Sequence, residues 1–176
     1  MRKLYLFITL ALVSFIFAAP VELLLNPGFE DGVLTPWTTN NWISDTADPH
    51  SGTYCAFDEG NYWIKQEFTP ADVNKITSIT IWYMQPEQAI FAFHLYYSPT
   101  DYDQEVVWVN DPGWVEYDLT SFLRSTGNLE GIKIFGYSGG GGDPDYSFLD
   151  DVSIIYDEDL ALQSETFASI KAMFSE

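Results

Sequence analysis

From Leu23 to Tyr156 the chain alternates apolar and polar residues at a period of two, with no amphipathic helix of useful length. Ile76-Thr77-Ser78-Ile79-Thr80-Ile81-Trp82-Tyr83 is the plainest run, rich in β-branched residues. Ala89 to Tyr97, Trp114 to Leu119, Gly131 to Tyr137 and Phe148 to Ile155 repeat the pattern. Turn-forming clusters separate them: Asp48-Pro49-His50-Ser51-Gly52, Pro86-Glu87, Ser98-Pro99-Thr100-Asp101, Asn110-Asp111-Pro112-Gly113 and Gly139 to Asp145. Many short strands with regular turns predict an all-β fold, an antiparallel β-sandwich or jelly roll.

The two ends differ from this body. Arg2 and Lys3 precede an apolar stretch from Leu4 to Phe17, then Ala18-Ala19-Pro20. A charged start, a short apolar core and small residues at its end read as a secretory signal peptide over 1–18. The predicted sandwich runs over 20–156, in a protein that is secreted or at the cell surface. Residues 157–176 read as an acidic tether, Tyr156-Asp157-Glu158-Asp159, leading to a short C-terminal helix. In that helix Phe167, Ile170, Met173 and Phe174 recur at helical spacing. The helix either packs back on the sandwich or serves as a docking segment for a partner of the tail.

Charge narrows the partners. Loss of Arg2 and Lys3 with the leader leaves 5 basic against 26 acidic residues, so the formal charge moves from −19 to −21. Nucleic acid and anionic membranes are repelled by such a field, and after cleavage nothing is left to insert in a bilayer. A cation or a neutral ligand suits it. The aromatic content, 17%, argues against disorder. Cys55 is alone, so no intramolecular disulfide ties down the loops of an exported chain.

Enzyme signatures fail on context. Gly136-Tyr137-Ser138-Gly139-Gly140 has the spacing of a nucleophile elbow. An elbow opens a helix, however, and here Gly141-Gly142-Asp143-Pro144 follows. Asp101, Asp103 and Glu105, or Asp143 and Asp145, are pairs of the kind a glycosidase uses, but acids are too numerous here for a pair to mean much. The domain reads as a binder rather than an enzyme, with no catalytic residues.

Four segments carry a resemblance. Asn26-Pro27-Gly28-Phe29-Glu30-Asp31-Gly32 with Pro36-Trp37 resembles the opening of carbohydrate-binding modules of families 4 and 9. His50-Ser51-Gly52-Thr53-Tyr54-Cys55-Ala56, Gly113-Trp114 through Tyr117-Asp118-Leu119, and Phe148-Leu149-Asp150-Asp151-Val152-Ser153-Ile154 resemble three later landmarks, in the same order. The resemblance covers about residues 23–156 and implies a galactose-binding-like jelly roll. It also implies a structural calcium ion between the first turn and the closing strand. Glu30 would supply one side chain and Asp150 or Asp151 the other. Alternation favours Asp150, since Leu149 faces the core. Carbonyls of Gly28 and of the segment from Ser51 to Tyr54 would complete the shell. In the plainer alternative, Glu30 caps backbone amides and both aspartates face water.

A glycan site needs flat aromatics flanked by polar groups. With Ile79, Ile81, Tyr83, Phe91, Phe93, Leu95, Ile132 and Ile134 inward, alternation sends Trp82, His94, Tyr96, Lys133, Phe135 and Tyr137 outward. Trp63 and Lys65 join them. Trp63, Trp82, His94, Tyr96 and Tyr137 are the predicted ligand-binding set, for a polysaccharide or other glycan partner. His94 reads as a satisfied sheet histidine rather than a metal ligand. If loops or the tail cover the face, it is a second core instead. Two functions follow: a non-catalytic carbohydrate-binding module, or a cell-surface structural or adhesion protein using the same jelly roll for protein contacts.

Overall fold

The computed structural model describes residues 19–85, 89–109, 112–136 and 146–160. The predicted leader, Tyr137 and the predicted C-terminal helix lie outside them. Eleven strands are described: β1 (Val21–Glu22), β2 (Thr38–Thr39), β3 (Ile43–Asp45), β4 (Cys55–Glu59), β5 (Trp63–Asp72), β6 (Ile76–Met84), β7 (Ala89–Ser98), β8 (Asp101–Val109), β9 (Val115–Asp118), β10 (Asn128–Phe135) and β11 (Tyr146–Tyr156). One sheet runs β3-β4-β11-β6-β9, with β1 also on β11; the other runs β2-β5-β10-β7-β8. Each pairing is antiparallel. The fold is a jelly-roll β-sandwich. Because β1 pairs with Tyr156 and Ile155, the first and last strands lie side by side.

Alternation explains the core. Ile79, Ile81 and Tyr83 of β6 meet Phe91, Phe93 and Leu95 of β7 and Ile132 and Ile134 of β10, all buried in one cluster. Burying such side chains stabilises the sandwich by roughly 1.5–3 kcal/mol each. Phe29 and Trp37 join this core from the first turn, ring centroids 5.6 Å apart. A second cluster, Cys55, Met84 and Phe148 with Phe57, Trp114 and Tyr146, forms on the outer side of the β6-β11-β4 sheet. Burial and the Asp150 charge push the Cys55 thiol up to about 12, so it packs as an inert apolar group.

Residues 101–109, which were not among the predicted strands, form β8. Asp101 and Asp103 bind Arg124, whose guanidinium donates to all four of their carboxylate oxygens at 2.7–2.8 Å. Arg124 also lies over the Tyr97 ring, 4.0 Å from its centroid. Two of the three acids of β8 thereby hold the 120–124 turn to the hairpin.

One buried acid stands out between the sheets. Asp58 is 1% exposed, beside its register partner Ser147, and its Oδ1 has no hydrogen-bond partner. Burial pushes its carboxyl from 3.8 to about 6, against the Tyr62 amide that pulls it down and with Glu59 adding to the rise. The fold therefore keeps a proton that the unfolded chain releases, and stability falls as pH rises from about 4 through about 6. At 1.36 kcal/mol per unit the penalty above that window is ~3 kcal/mol. Thermal melts followed by circular dichroism should show stability rising on acidification from pH 7 to 5. Asp58→Asn should melt higher than wild type at pH 7 and flatten that rise.

Candidate functional site

The outer face of the β2-β5-β10-β7-β8 sheet is built in three rows that cross the strands. Its middle row is Thr38, Lys65, Lys133, His94 and Gln104, each in register with the next. Trp63, Phe135, Ala92 and Val106 form the row on one side, and Glu67, Gly131, Tyr96 and Tyr102 the row on the other. Antiparallel register places these side chains on one face because their neighbours Ile64, Ile132, Ile134, Phe93 and Leu95 are in the core.

The rings pack on one another. His94 stacks on Tyr102 with centroids 4.3 Å apart and planes 9° from parallel, and Phe135 lies 4.8 Å from it on a tilted plane. His94 Nε2 donates to Gln104 Oε1 at 3.1 Å, leaving Nδ1 to accept from the Tyr96 hydroxyl at 3.3 Å. Burial lowers the His94 pKa, with the Gln104 bond opposing and Lys133 adding, so the ring is neutral at pH 7. His94 is thus a satisfied sheet histidine. The Lys65 ammonium lies 4.3 Å from the Tyr96 ring centroid; that of Lys133 lies 4.3 Å from the Trp63 ring and 4.6 Å from the Phe135 ring. Toward β8 the face is in solvent, with Tyr102 44% and Trp108 70% exposed.

Of the predicted ligand set, Trp63, His94 and Tyr96 come together here, and Tyr137 lies outside the described residues. Trp82 does not join them. It stands on β6, in the opposite sheet, in register with Asp150 and stacked on His50 at 3.7 Å. Alternation assigns a side chain to a face of its own sheet, not to one sheet or the other. Tyr102 and Trp108, on β8, were not in the predicted set. Their signal was the alternation of Tyr102, Gln104, Val106 and Trp108 against Asp103, Glu105, Val107 and Val109.

Of the predicted metal residues, Asp150 and Asp151 come together on the outer side of the other sheet, joined by His50, which was not in the predicted set. The Glu30 carboxylate is outside that group, on the neighbouring loop amides. In the opening turn, Asn26 and Phe29 adopt positive φ, 49° and 57°, which drives Phe29 into the core and turns Glu30 away. Pro27 accepts from the Val152 amide at 3.0 Å, docking the turn on β11. The Glu30 carboxylate accepts from the amides of Thr53 and Tyr54 at 2.9–3.0 Å. Asp150, fully buried, accepts from the amides of His50, Ser51 and Asp151. Burial raises its carboxyl to about 6 in spite of the Ser51 and Asp151 amides. Asp151, at φ 43° in a β-bulge, pairs with His50 Nδ1 at 2.7 Å and the Ser51 hydroxyl at 3.1 Å. Ligand atoms of His50, Asp150 and Asp151 lie within 4.8 Å of one another, a group of the size that holds a cation. The Ser51, Thr53 and Tyr54 contacts with the acids run through amide and hydroxyl donors rather than through carbonyls.

Known proteins were compared with this geometry. No family model matches the sequence, and no curated protein matches it. Solved structures do. The family 61 carbohydrate-binding module TmCBM61, in complex with β-1,4-galactotriose, superposes with a TM-score of 0.57 at 18% identity, over 78% of this chain and 99% of that one. What the two share is the jelly-roll β-sandwich fold. A family 11 carbohydrate-binding module from Clostridium thermocellum matches this sandwich at a TM-score of 0.51 and 12% identity, over 80% and 98% of the two chains. So does the K1 cleaved adhesin domain of Lys-gingipain from Porphyromonas gingivalis W83, at 0.52 and 14%, over 78% and 98%. The enzymatically active domain of a bacteriophage CBA120 tailspike protein matches at 0.58 and 8%, but the likeness spans 21% of its length.

Gly52 keeps Glu30 in place. At φ +61°, a Cβ there would come 2.3–2.5 Å from the Glu30 carboxylate. Gly52→Ala should cost about 2–4 kcal/mol, combining left-handed strain with loss of the two amide contacts. In urea unfolding, the same change made in a Glu30→Ala background should cost at least ~1 kcal/mol less, because the two sites share one interaction.

Proposed function

We propose that the chain is a non-catalytic carbohydrate-binding module that holds a poly- or oligosaccharide on the aromatic face of the β2-β5-β10-β7-β8 sheet. The observation that carries this reading is the row arrangement itself. Trp63, Phe135 and Tyr102 offer ring surface for the C–H faces of sugars, with Tyr96 buried beneath Lys65 as their support, and Gln104, Thr38 and the lysines stand between the rings for hydroxyl edges. Exposed aromatic rows on a folded domain mark binding surfaces. Two of the similar sandwiches were captured with a galactotriose and with a β-1,3-1,4-mixed-linked tetrasaccharide. Trp63→Ala and Tyr102→Ala should each weaken glycan binding about tenfold or more in isothermal titration or affinity electrophoresis, with unchanged melting temperature. Wild-type protein that bound no polysaccharide across a glycan array would end this reading.

A second reading, a cell-surface adhesion protein working through protein contacts, draws on the 70% exposure of Trp108 and on the likeness to a gingipain adhesin domain. It predicts that Trp108→Ala abolishes attachment to a protein-coated surface and leaves glycan binding intact.

Calcium belongs to the same proposal as a structural ion. Glu30 Cγ and the carboxylate oxygens of Asp150 and Asp151 all lie within 4 Å of where a Gly28 Cβ would stand, and His50 is their single basic neighbour among the described residues. That oxygen-rich, acid-heavy set fits a hard cation, held by Asp150, Asp151 and Glu30 with the Gly28 carbonyl. Bound there, calcium would neutralise the acids and clip the opening turn and the loop at 50–54 to the closing strand. Export through the 1–18 leader would place the site in a calcium-rich medium. Chelator should then lower the melting temperature of wild type, and Asp150→Asn should abolish that response.

A further inference from the structure

We propose that the aromatic face takes an anionic polysaccharide, a chain bearing uronate carboxylates, with Lys65 and Lys133 as the anion-binding pair. This deepens the proposed function and rests on its reading of that face. After loss of the leader only five basic residues remain, and two of them stand side by side at the centre of this one surface. As direct cross-strand partners their Cβ atoms are ~5 Å apart, an arrangement in which like charges repel. The neutral His94 ring extends the same row, so the row itself holds no negative charge, and only Lys65 has an acid beside it, Glu67 of the adjacent row.

The surroundings make this placement informative. A chain with 26 acids has carboxylates to spare, and it uses two of them on Arg124. At the centre of the face it pairs only one of the two lysines. Lys65 reaches Glu67, which is 66% exposed, and among the described residues Lys133 has no carboxylate partner. The Lys133 ammonium is held instead over the Trp63 and Phe135 rings, and burial together with the Lys65 charge lowers its pKa. Lys65 and Lys133 thus repel one another and are partly desolvated, a cost that packing does not require. An anion set between them removes it.

Geometry favours a carboxylated sugar over a free anion. Aromatic rows flank the lysines on both sides, so a ring stacked on Trp63 or Phe135 would direct an equatorial carboxylate toward the central row. Glu67 and Glu130 line the Tyr96 side and turn anions toward the Trp63 side. The net negative field of the rest of the protein is screened within ~8 Å at physiological salt, so the local pair decides contact binding.

Isothermal titration with full-length mature protein, at low and high salt, provides the test. Ligands are polygalacturonate, alginate, methyl-esterified polygalacturonate, neutral β-1,4-galactan and dextran sulfate. The expected result is binding to at least one uronate polymer about tenfold or more tighter than to the esterified and neutral polymers, weakened by salt. Lys133→Met should lose that preference without lowering the melting temperature, Lys133→Arg should retain it, and Lys75→Met, away from the face, should leave it unchanged. Equal affinity for acid and esterified polymer, indifference to Lys133→Met, or preference for dextran sulfate over both uronates would each overturn the proposal. Binding of neutral galactan that falls with Trp63→Ala but ignores Lys133→Met would overturn it and leave the proposed function standing. Absence of binding to all five polymers would overturn the proposal, and absence of binding across the glycan array as well would overturn both.

Discussion

Strand β10 lies between β5 and β7, and its register sets both faces of its sheet at once. Ile132 and Ile134 fill the core opposite β6, while Gly131, Lys133 and Phe135 line the outer surface. A slip of one residue would bury Lys133 and expose two isoleucines. The core therefore holds the surface rows in place, and no loop is needed to assemble them. Rigid sheet positions are better suited to such a surface than loop tips, because ring spacing is inherited from the strand ladder.

The other sheet has a different problem. Its closing strand must accept a turn from the start of the chain and a loop from the middle. It does so by bulging at Asp151, where φ is 43°, so that Asp150 and Asp151 both face the incoming loop. The acids then satisfy backbone amides that would otherwise be stranded in a loop without a disulfide. His50 closes the arrangement from above, stacked on Trp82 and paired with Asp151. Trp82 is thus part of the clamp on this side of the molecule, and the aromatic rows are on the other.

Much of this was legible in the chain. Alternation placed Ile79, Ile81, Tyr83, Phe91, Phe93, Leu95, Ile132 and Ile134 inside, and sent Trp63, Lys65, His94, Tyr96, Lys133 and Phe135 out. Both expectations hold because a strand packed on one face has no other way to satisfy period-two chemistry. The turn at Asn26 was legible too, and Glu30 does reach the loop at 51–54. Strand β8 was not named from the sequence, where its acids were weighed only as a glycosidase-type pair; in the fold Arg124 neutralises two of them. Net charge is silent in a related way, since it says nothing of two lysines meeting across strands.

The sequence by itself determined an all-β sandwich, the identity of its core positions and the acids that gather at its closing strand. The first two depend on local periodicity and on turn chemistry, both carried within a few consecutive residues, and the third was what the resemblance of the opening turn and closing strand implied. Only the tertiary structure decided which sheet each aromatic belongs to, and that Lys65 and Lys133 are neighbours 68 residues apart in the chain. Pairing between distant strands is selected by how whole faces fit the core, and no short stretch of sequence contains that information.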